Sequence, residues 1–282
     1  MTTWRQLLAT TAEVLGDEGE ARWLCQEASG LEGAEWALGL DEPATQRAVV
    51  RLDAMVARRR SGEPLQYVLG HWAFRRLDLL VDRRVLIPRP ETELVAEVAL
   101  ELAAGQPDPL VIADLGTGSG SIALALADEL FPRPVTIWAC EAAGAALDVA
   151  RANLAGVGRA GTTVRMASGS WFDALPPELA GELALVVSNP PYLGEDDPAV
   201  EASVRDWEPA TALFAGGDGL DALREIITGS PGWLRPGGAL VCEIGADQGA
   251  AVSALAAGAG LVGREIRPDL AGLDRILVAR RP

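Results

Sequence analysis

From Glu91 onward the chain alternates between two kinds of apolar segment, and few folds accommodate that alternation. A helical pattern over 91–104 leads into the strand Leu110-Val111-Ile112-Ala113. A helix near 120–130, a strand at 135–140, a helix at 143–155 and a strand near 163–167 follow. Leu183 to Val187 then reads as a strand, 219–234 as a helix, Ala239 to Ile244 as a strand and 248–257 as a helix. Two closing strands, near 261–266 and 274–279, lie near enough in sequence to pair as an antiparallel hairpin. Strands separated by helices imply a parallel sheet with helices on both faces. The expected fold class is therefore α/β: a Rossmann-like, seven-stranded, mainly parallel sheet.

The residues before Glu91 follow other periods. Up to about residue 62 apolar positions recur at helix spacing, as in Trp4, Leu7, Leu8 and Thr11. Gly30, Gly33 and Gly39, with Asp41-Glu42-Pro43, cut this stretch into short helices. A linker is expected at Ser61-Gly62-Glu63-Pro64. Beyond it, 72–87 alternates through Phe74, Leu77, Leu79, Val81, Val85 and Ile87, with a charged turn at Asp82-Arg83-Arg84, which predicts a β-hairpin. The expected organisation is a helical domain over 1–70, a hairpin linker over 71–90 and an α/β domain over 91–282.

Composition removes several kinds of chemistry. The chain has no lysine, so a Walker A phosphate loop and Schiff-base catalysis are both excluded. One histidine, His71, and three cysteines outside any CxxC spacing provide no ligand set, and no metal is expected. The formal charge of -16 disfavours a broad grip on nucleic acid. That charge is unevenly distributed: residues 1–85 hold 11 Arg against 13 acids, net -2, and residues 86–282 hold 13 Arg against 27 acids, net -14. Arginines from Arg51 to Arg84 cluster, either as a patch facing a partner or as a solvated helix face. No apolar run reaches eighteen residues and the N-terminal residues do not read as a signal peptide, so a cytoplasmic protein is expected, without membrane contact.

Two motifs carry the chemistry. Asp114-Leu115-Gly116-Thr117-Gly118-Ser119-Gly120 ends a buried strand and opens a helix, and its glycines let the backbone approach a ligand closely. A carboxylate just before the turn would repel a pyrophosphate but suits the ammonium or sulfonium of S-adenosylmethionine. Glu141, 25 residues beyond Gly116, ends the next strand, where a carboxylate can accept hydrogen bonds from ribose hydroxyls. Trp171, after the third strand, can pack on an adenine.

The fourth strand runs into Asn189-Pro190-Pro191-Tyr192. Consecutive prolines fix φ and supply no N–H, so their carbonyls are stiffly aimed and free to accept. The Asn189 side-chain oxygen and the Pro190 carbonyl can each take one hydrogen of an NH₂ group, and Tyr192 can stack on a flat acceptor. Catalysis would then rest on orientation rather than on a strong base. Adenine N6, cytosine N4, guanine N2 and glutamine amides all present such a nitrogen.

Further segments narrow this set. Gly62-Glu63-Pro64-Leu65-Gln66-Tyr67, Leu86-Ile87-Pro88-Arg89-Pro90-Glu91-Thr92-Glu93, Glu208-Pro209, Gly216-Gly217-Asp218-Gly219-Leu220 and Asp269-Leu270-Ala271-Gly272 accompany the two motifs. Together they resemble the HemK/PrmC family, the protein-(glutamine-N5) methyltransferases of peptide chain release factors, over nearly the whole chain. The resemblance implies a class I methyltransferase fold and N5-methylation of the glutamine in the Gly-Gly-Gln tip of class I release factors. It implies that Asp114, Gly116, Thr117, Gly118, Ser119, Gly120, Glu141, Trp171 and Asn189 bind S-adenosylmethionine. It further implies that Asn189, Pro190 and Tyr192 serve catalysis and that Pro191, Arg89 and Glu91 help hold the substrate. The helical domain would help recognise the release factor, and a monomer is expected. Glu141 departs from the aspartate usual in the family. A glutamine methyltransferase of a ribosomal protein, an amino-methyltransferase of nucleic acid and a non-catalytic binding factor are the alternatives.

Overall fold

The computed structural model describes residues 2–195, 197–198 and 200–282 and divides into two units, Met1–His71 and Trp72–Pro282. The first unit is helical: α1 (Trp4–Leu15), α2 (Glu18–Ser29), α3 (Gly33–Gly39), α4 (Gln46–Arg60) and α5 (Leu65–Leu69). Local chemistry sets these boundaries. Thr3 and Gln6 form a reciprocal capping box on α1, while Asp17 and Thr45 cap α2 and α4. The apolar stripes meet around Trp4, which packs edge-on against Trp36 at 6.0 Å, with Leu24, Cys25, Leu52 and Met55 buried beside them. Arg58 grips both oxygens of Glu63 at 2.8 and 2.6 Å and also donates to the carbonyls of Tyr67 and Val68. Arg59 holds Glu20 in the same two-point manner, and Arg51 meets Glu27. Arg51, Arg58 and Arg59 of the sequence cluster are thus bound to carboxylates of their own unit.

A hairpin of β1 (His71–Phe74) and β2 (Leu77–Leu80) follows, turning at Arg75-Arg76. Pairing stops earlier than the alternation through 72–87 suggests. Val81, Val85 and Ile87 are buried as that pattern requires, but they lie in irregular chain. Alternation records which side chains are buried and says nothing about whether a neighbouring strand exists. The charged turn at Asp82 is real, with its carboxylate taking the Arg84 N–H at 3.0 Å, yet it lies beyond the hairpin.

The remaining elements are α6 (Pro90–Ala104), β3 (Leu110–Leu115), α7 (Ser121–Leu130), β4 (Val135–Glu141), α8 (Gly144–Gly156), β5 (Val164–Ser168), β6 (Leu183–Ser188), α9 (Ala202–Trp207), α10 (Ala210–Leu213), α11 (Asp221–Trp233), β7 (Leu234–Glu243), α12 (Gly249–Gly258), β8 (Val262–Pro268) and β9 (Asp274–Arg280). Among the described residues seven strands form one sheet in the order β5-β4-β3-β6-β7-β9-β8, parallel from β5 through β7 and antiparallel where β9 meets β7 and β8. This is the class I methyltransferase architecture. One face packs on α6 and α7 and the other on α11 and α12, which explains why β6 is buried at every residue. The chain winds outward from β3 to β5, then returns to β6 on the other side. That reversal opens a crevice at the carboxyl ends of β3 and β6, where α/β sheets take ligands. No helix among the described residues is long and apolar enough to cross a membrane.

Candidate active site

Two cavities meet at this crevice. The first, of about 380 Å³, lies over the glycine turn and is walled by Gly116, Thr117, Gly118 and Ser119, by Glu141 and by Trp171. The turn follows β3 with Gly116 at φ +74°, a conformation that disfavours a side chain. A Cβ at Gly116 would also sit 3.1 Å from the Trp171 ring, so ring and backbone are in contact there. Trp171 itself holds φ +43°, a strained value for a bulky residue, which turns its ring onto the glycine loop. Glu141, at the end of β4, accepts the Gly118 N–H at 3.0 Å and the Ala143 N–H at 2.9 Å. Each of its oxygens keeps a lone pair for a hydroxyl of a ligand.

Asp114 lies elsewhere than expected. It is fully buried beneath the turn and is not on the cavity wall. Its Oδ2 accepts the Thr117 hydroxyl at 2.6 Å and the Ala123 N–H at 3.1 Å, which ties the loop to the start of α7. Its Oδ1 is buried and has no partner among the described residues. Burial pushes its carboxyl up to about 7, against the pull of those two hydrogen bonds.

The second cavity, of about 440 Å³, is walled by Leu86, Arg89, Pro190 and Tyr192, with α9 and α10 residues closing the far side. Asn189 lines both cavities. Its position is set by the strand ends: the Ser188 hydroxyl donates to the Leu115 carbonyl at 2.6 Å, pinning β6 to β3 where the two motifs begin. The prolines divide, Pro191 facing the first cavity and Pro190 the second. Gln248 fixes the tetrapeptide from below by donating to the Tyr192 carbonyl at 2.8 Å. Gly219 is required beneath it, because a Cβ there would fall 2.4 Å from the same carbonyl oxygen.

Three residues that the sequence did not single out individually hold this arrangement. Glu208, with its side chain 2% exposed, accepts the Ile87 N–H at 3.1 Å and the Arg89 guanidinium at 2.5 Å, so the Ile87-Pro88-Arg89 segment is stapled at the mouth of the second cavity. Thr92 accepts the Asn189 side-chain NH₂ at 2.9 Å and donates to Glu243 at 2.7 Å. The other oxygen of Glu243 takes the Tyr192 hydroxyl at 3.1 Å. Burial pushes the Glu243 carboxyl up to about 7, offset by those hydrogen bonds and by Arg275, and burial likewise raises the Tyr192 phenol. Glu208 and Thr92 sit inside segments that already stood out. Glu243 reads as an ordinary strand end, and only a carboxylate closing the apolar run from Ala239 to Cys242 hinted at it. Gly120 and Glu91 line neither cavity.

Comparison with known proteins matches two family models: the PrmC N-terminal domain over residues 2–70 and the methyltransferase small domain over residues 99–206. The chain is 42% identical to the release factor glutamine methyltransferase of Burkholderia pseudomallei over 290 residues, covering 100% of both chains. It is 41% identical to that of Moorella thermoacetica, covering 99% of each. Among solved structures, a methyltransferase from Pyrococcus furiosus shares the fold with a TM-score of 0.52 at 14% identity, over 80% of this chain and 96% of that one.

Proposed function

The chain belongs to the family of release factor glutamine methyltransferases, and from that premise we propose that it methylates the side-chain N5 of the glutamine in the Gly-Gly-Gln tip of class I peptide chain release factors, using S-adenosylmethionine. The observation that carries this reading is that Asn189 is a wall of both cavities at once. A donor held over the glycine turn and an acceptor held between Pro190 and Tyr192 would meet across it.

The first cavity suits the cofactor chemically. A turn that lacks a Cβ at Gly116 and Gly118, a flat aromatic wall at Trp171 and the Glu141 carboxylate match an adenosyl group and its ribose hydroxyls. Thr117, Gly118 and Ser119 supply further polar backbone, and Asp114 holds their loop from beneath. S-adenosylmethionine, when bound there, would supply an electrophilic methyl group. The protein's part is orientation. Asn189 Oδ1 and the Pro190 carbonyl accept the two amide hydrogens, which directs the nitrogen lone pair at the methyl group and stabilises the positive charge that develops on nitrogen. Tyr192 stacks on the amide, and Pro191 keeps the peptide stiff. Arg89, fixed by Glu208, faces the approaching substrate loop. The helical unit contributes recognition of the release factor. We place the enzyme in the cytoplasm, acting as a monomer because one chain builds both cavities.

A labelled-methyl assay offering purified class I release factor, ribosomal proteins and nucleic acid side by side tests this reading. Label on the release factor, lost when its Gly-Gly-Gln glutamine is replaced, is the expected result. Label confined to ribosomal protein or to nucleic acid overturns it.

A further inference from the structure

The two carboxylate oxygens of Glu243 begin two hydrogen-bond paths, and one of them ends on the side chain that the methyl-transfer reading depends on. We propose that Glu243 and Thr92 are positioning residues for the transfer, locking the Asn189 amide so that its NH₂ faces Thr92 and its Oδ1 is left to accept from the substrate.

The argument is one of proton counting. An ionised carboxylate only accepts hydrogen bonds, so both neighbours of Glu243 have to donate to it. Tyr192 does so at 3.1 Å and Thr92 at 2.7 Å. A hydroxyl has a single proton, and that of Thr92 is committed to Glu243. Its oxygen can therefore only accept from Asn189, 2.9 Å away, and the group facing it has to be the NH₂. The direction of every bond is thus dictated from Glu243 outward. Turned over, Asn189 would set its NH₂ against the NH₂ of the substrate, two donors without an acceptor, and the lone pair would lose its aim. This inference rests on the proposed methylation of an amide nitrogen and extends it to Thr92, which lines the first cavity beside Asn189, and to Glu243, which lines neither cavity.

Protonation of Glu243 would undo the lock. Its own proton could then point at Thr92, whose hydroxyl would donate to Asn189 and favour the inverted amide. The charged or titratable groups acting on Glu243 are Tyr192 after β6, Glu91 on α6 and Arg275 on β9, the last held by Asp269 at 3.3 Å. Burial dominates over them and lifts the carboxyl to about 7, so the change falls within an accessible pH range. Turnover should fall as pH drops through that value.

The test compares wild type with Thr92→Val, Thr92→Ser and Glu243→Gln in three measurements. These are methyl transfer to purified class I release factor across pH 5.5–9, S-adenosylmethionine affinity by calorimetry, and hydrogen exchange of the Asn189 side-chain NH₂ by ¹⁵N NMR. Thr92→Val should lower kcat by about 100-fold while KM and cofactor affinity stay within about threefold, the signature of lost orientation rather than lost binding. Thr92→Ser should recover most of that loss, and Glu243→Gln should lose the acidic limb of the pH profile. Exchange of the Asn189 NH₂ should be slow in wild type and Thr92→Ser and fast in Thr92→Val. A kcat for Thr92→Val near that of wild type overturns the inference, as does an acidic limb retained in Glu243→Gln. If Thr92→Val does not fold, the pH profile of Glu243→Gln decides. A wild-type enzyme that labels no release factor overturns the substrate reading instead, and the exchange rates still decide the lock: equal rates in wild type and in whichever variants fold overturn it.

Discussion

Two buried carboxylates sit at equivalent places in the fold, Asp114 near the end of β3 and Glu243 at the end of β7, and burial lifts both to about 7. Their surroundings differ. Asp114 spends one oxygen on Thr117 and on the start of α7 and leaves the other without a partner. Glu243 has both oxygens bonded, each to a side chain that leads toward the reacting centre. Burial alone therefore does not make a carboxylate functional in the same way twice. One holds the loop that walls the first cavity; the other is joined through Thr92 to Asn189, which walls both.

Breaking each end should give a different kinetic signature. On the side served by Glu243, Asn189→Ala should lower kcat by about 1,000-fold, in the range seen when an orienting polar group is removed. Its melting temperature should stay close to wild type, read by calorimetry. Full activity in that variant would refute the assigned role of the tetrapeptide. On the side served by Asp114, Gly116→Ala puts a side chain at φ +74° and 3.1 Å from Trp171. It should weaken cofactor binding by about tenfold or more, equivalent to about 1.4 kcal/mol, with kcat at saturation less affected.

The smallest effect concerns stability against pH. Unfolded, Asp114 and Glu243 return to their ordinary values of 3.8 and 4.5, so between those values and about 7 the folded state binds more protons. Their contribution is present in full below about pH 4 and is lost as pH rises through 7. Asp114→Asn and Glu243→Gln should each flatten that loss, measured as urea midpoints at pH 5 and pH 8. Asp114→Asn should do so without further cost, because its NH₂ can occupy the unpartnered side. Glu243→Gln should lose some stability at both values, since one of its two neighbours would face a donor with a donor. Identical behaviour of the two variants would erase the distinction between the ends.

Much of this arrangement is legible in the chain. The alternation after Glu91 carries the sheet and its antiparallel end, and the glycine turn and Asn189-Pro190-Pro191-Tyr192 mark the two strand ends that form the crevice. What escapes is long-range. Thr92 and Glu243 are 151 residues apart and meet only because α6 packs against β7, a pairing no local period encodes. Asp114 shows the converse: its neighbours in sequence suggest a ligand contact, yet strand alternation turns its side chain beneath the loop rather than into the cavity. The short α9 and α10 lack the length at which helical periodicity becomes visible.

The placing of β9 between β7 and β8 has a consequence for how the chain is built during synthesis. β8 is made before the strand that joins it to the sheet exists, so it waits unattached, and β7 meanwhile presents a bare apolar edge at Leu240 and Cys242. Such an edge is a template for wrong partners. The nascent protein is therefore most prone to aggregate in the interval before residues 274–280 slot in, and a substitution that slows that insertion would lower yield without touching the finished enzyme's activity.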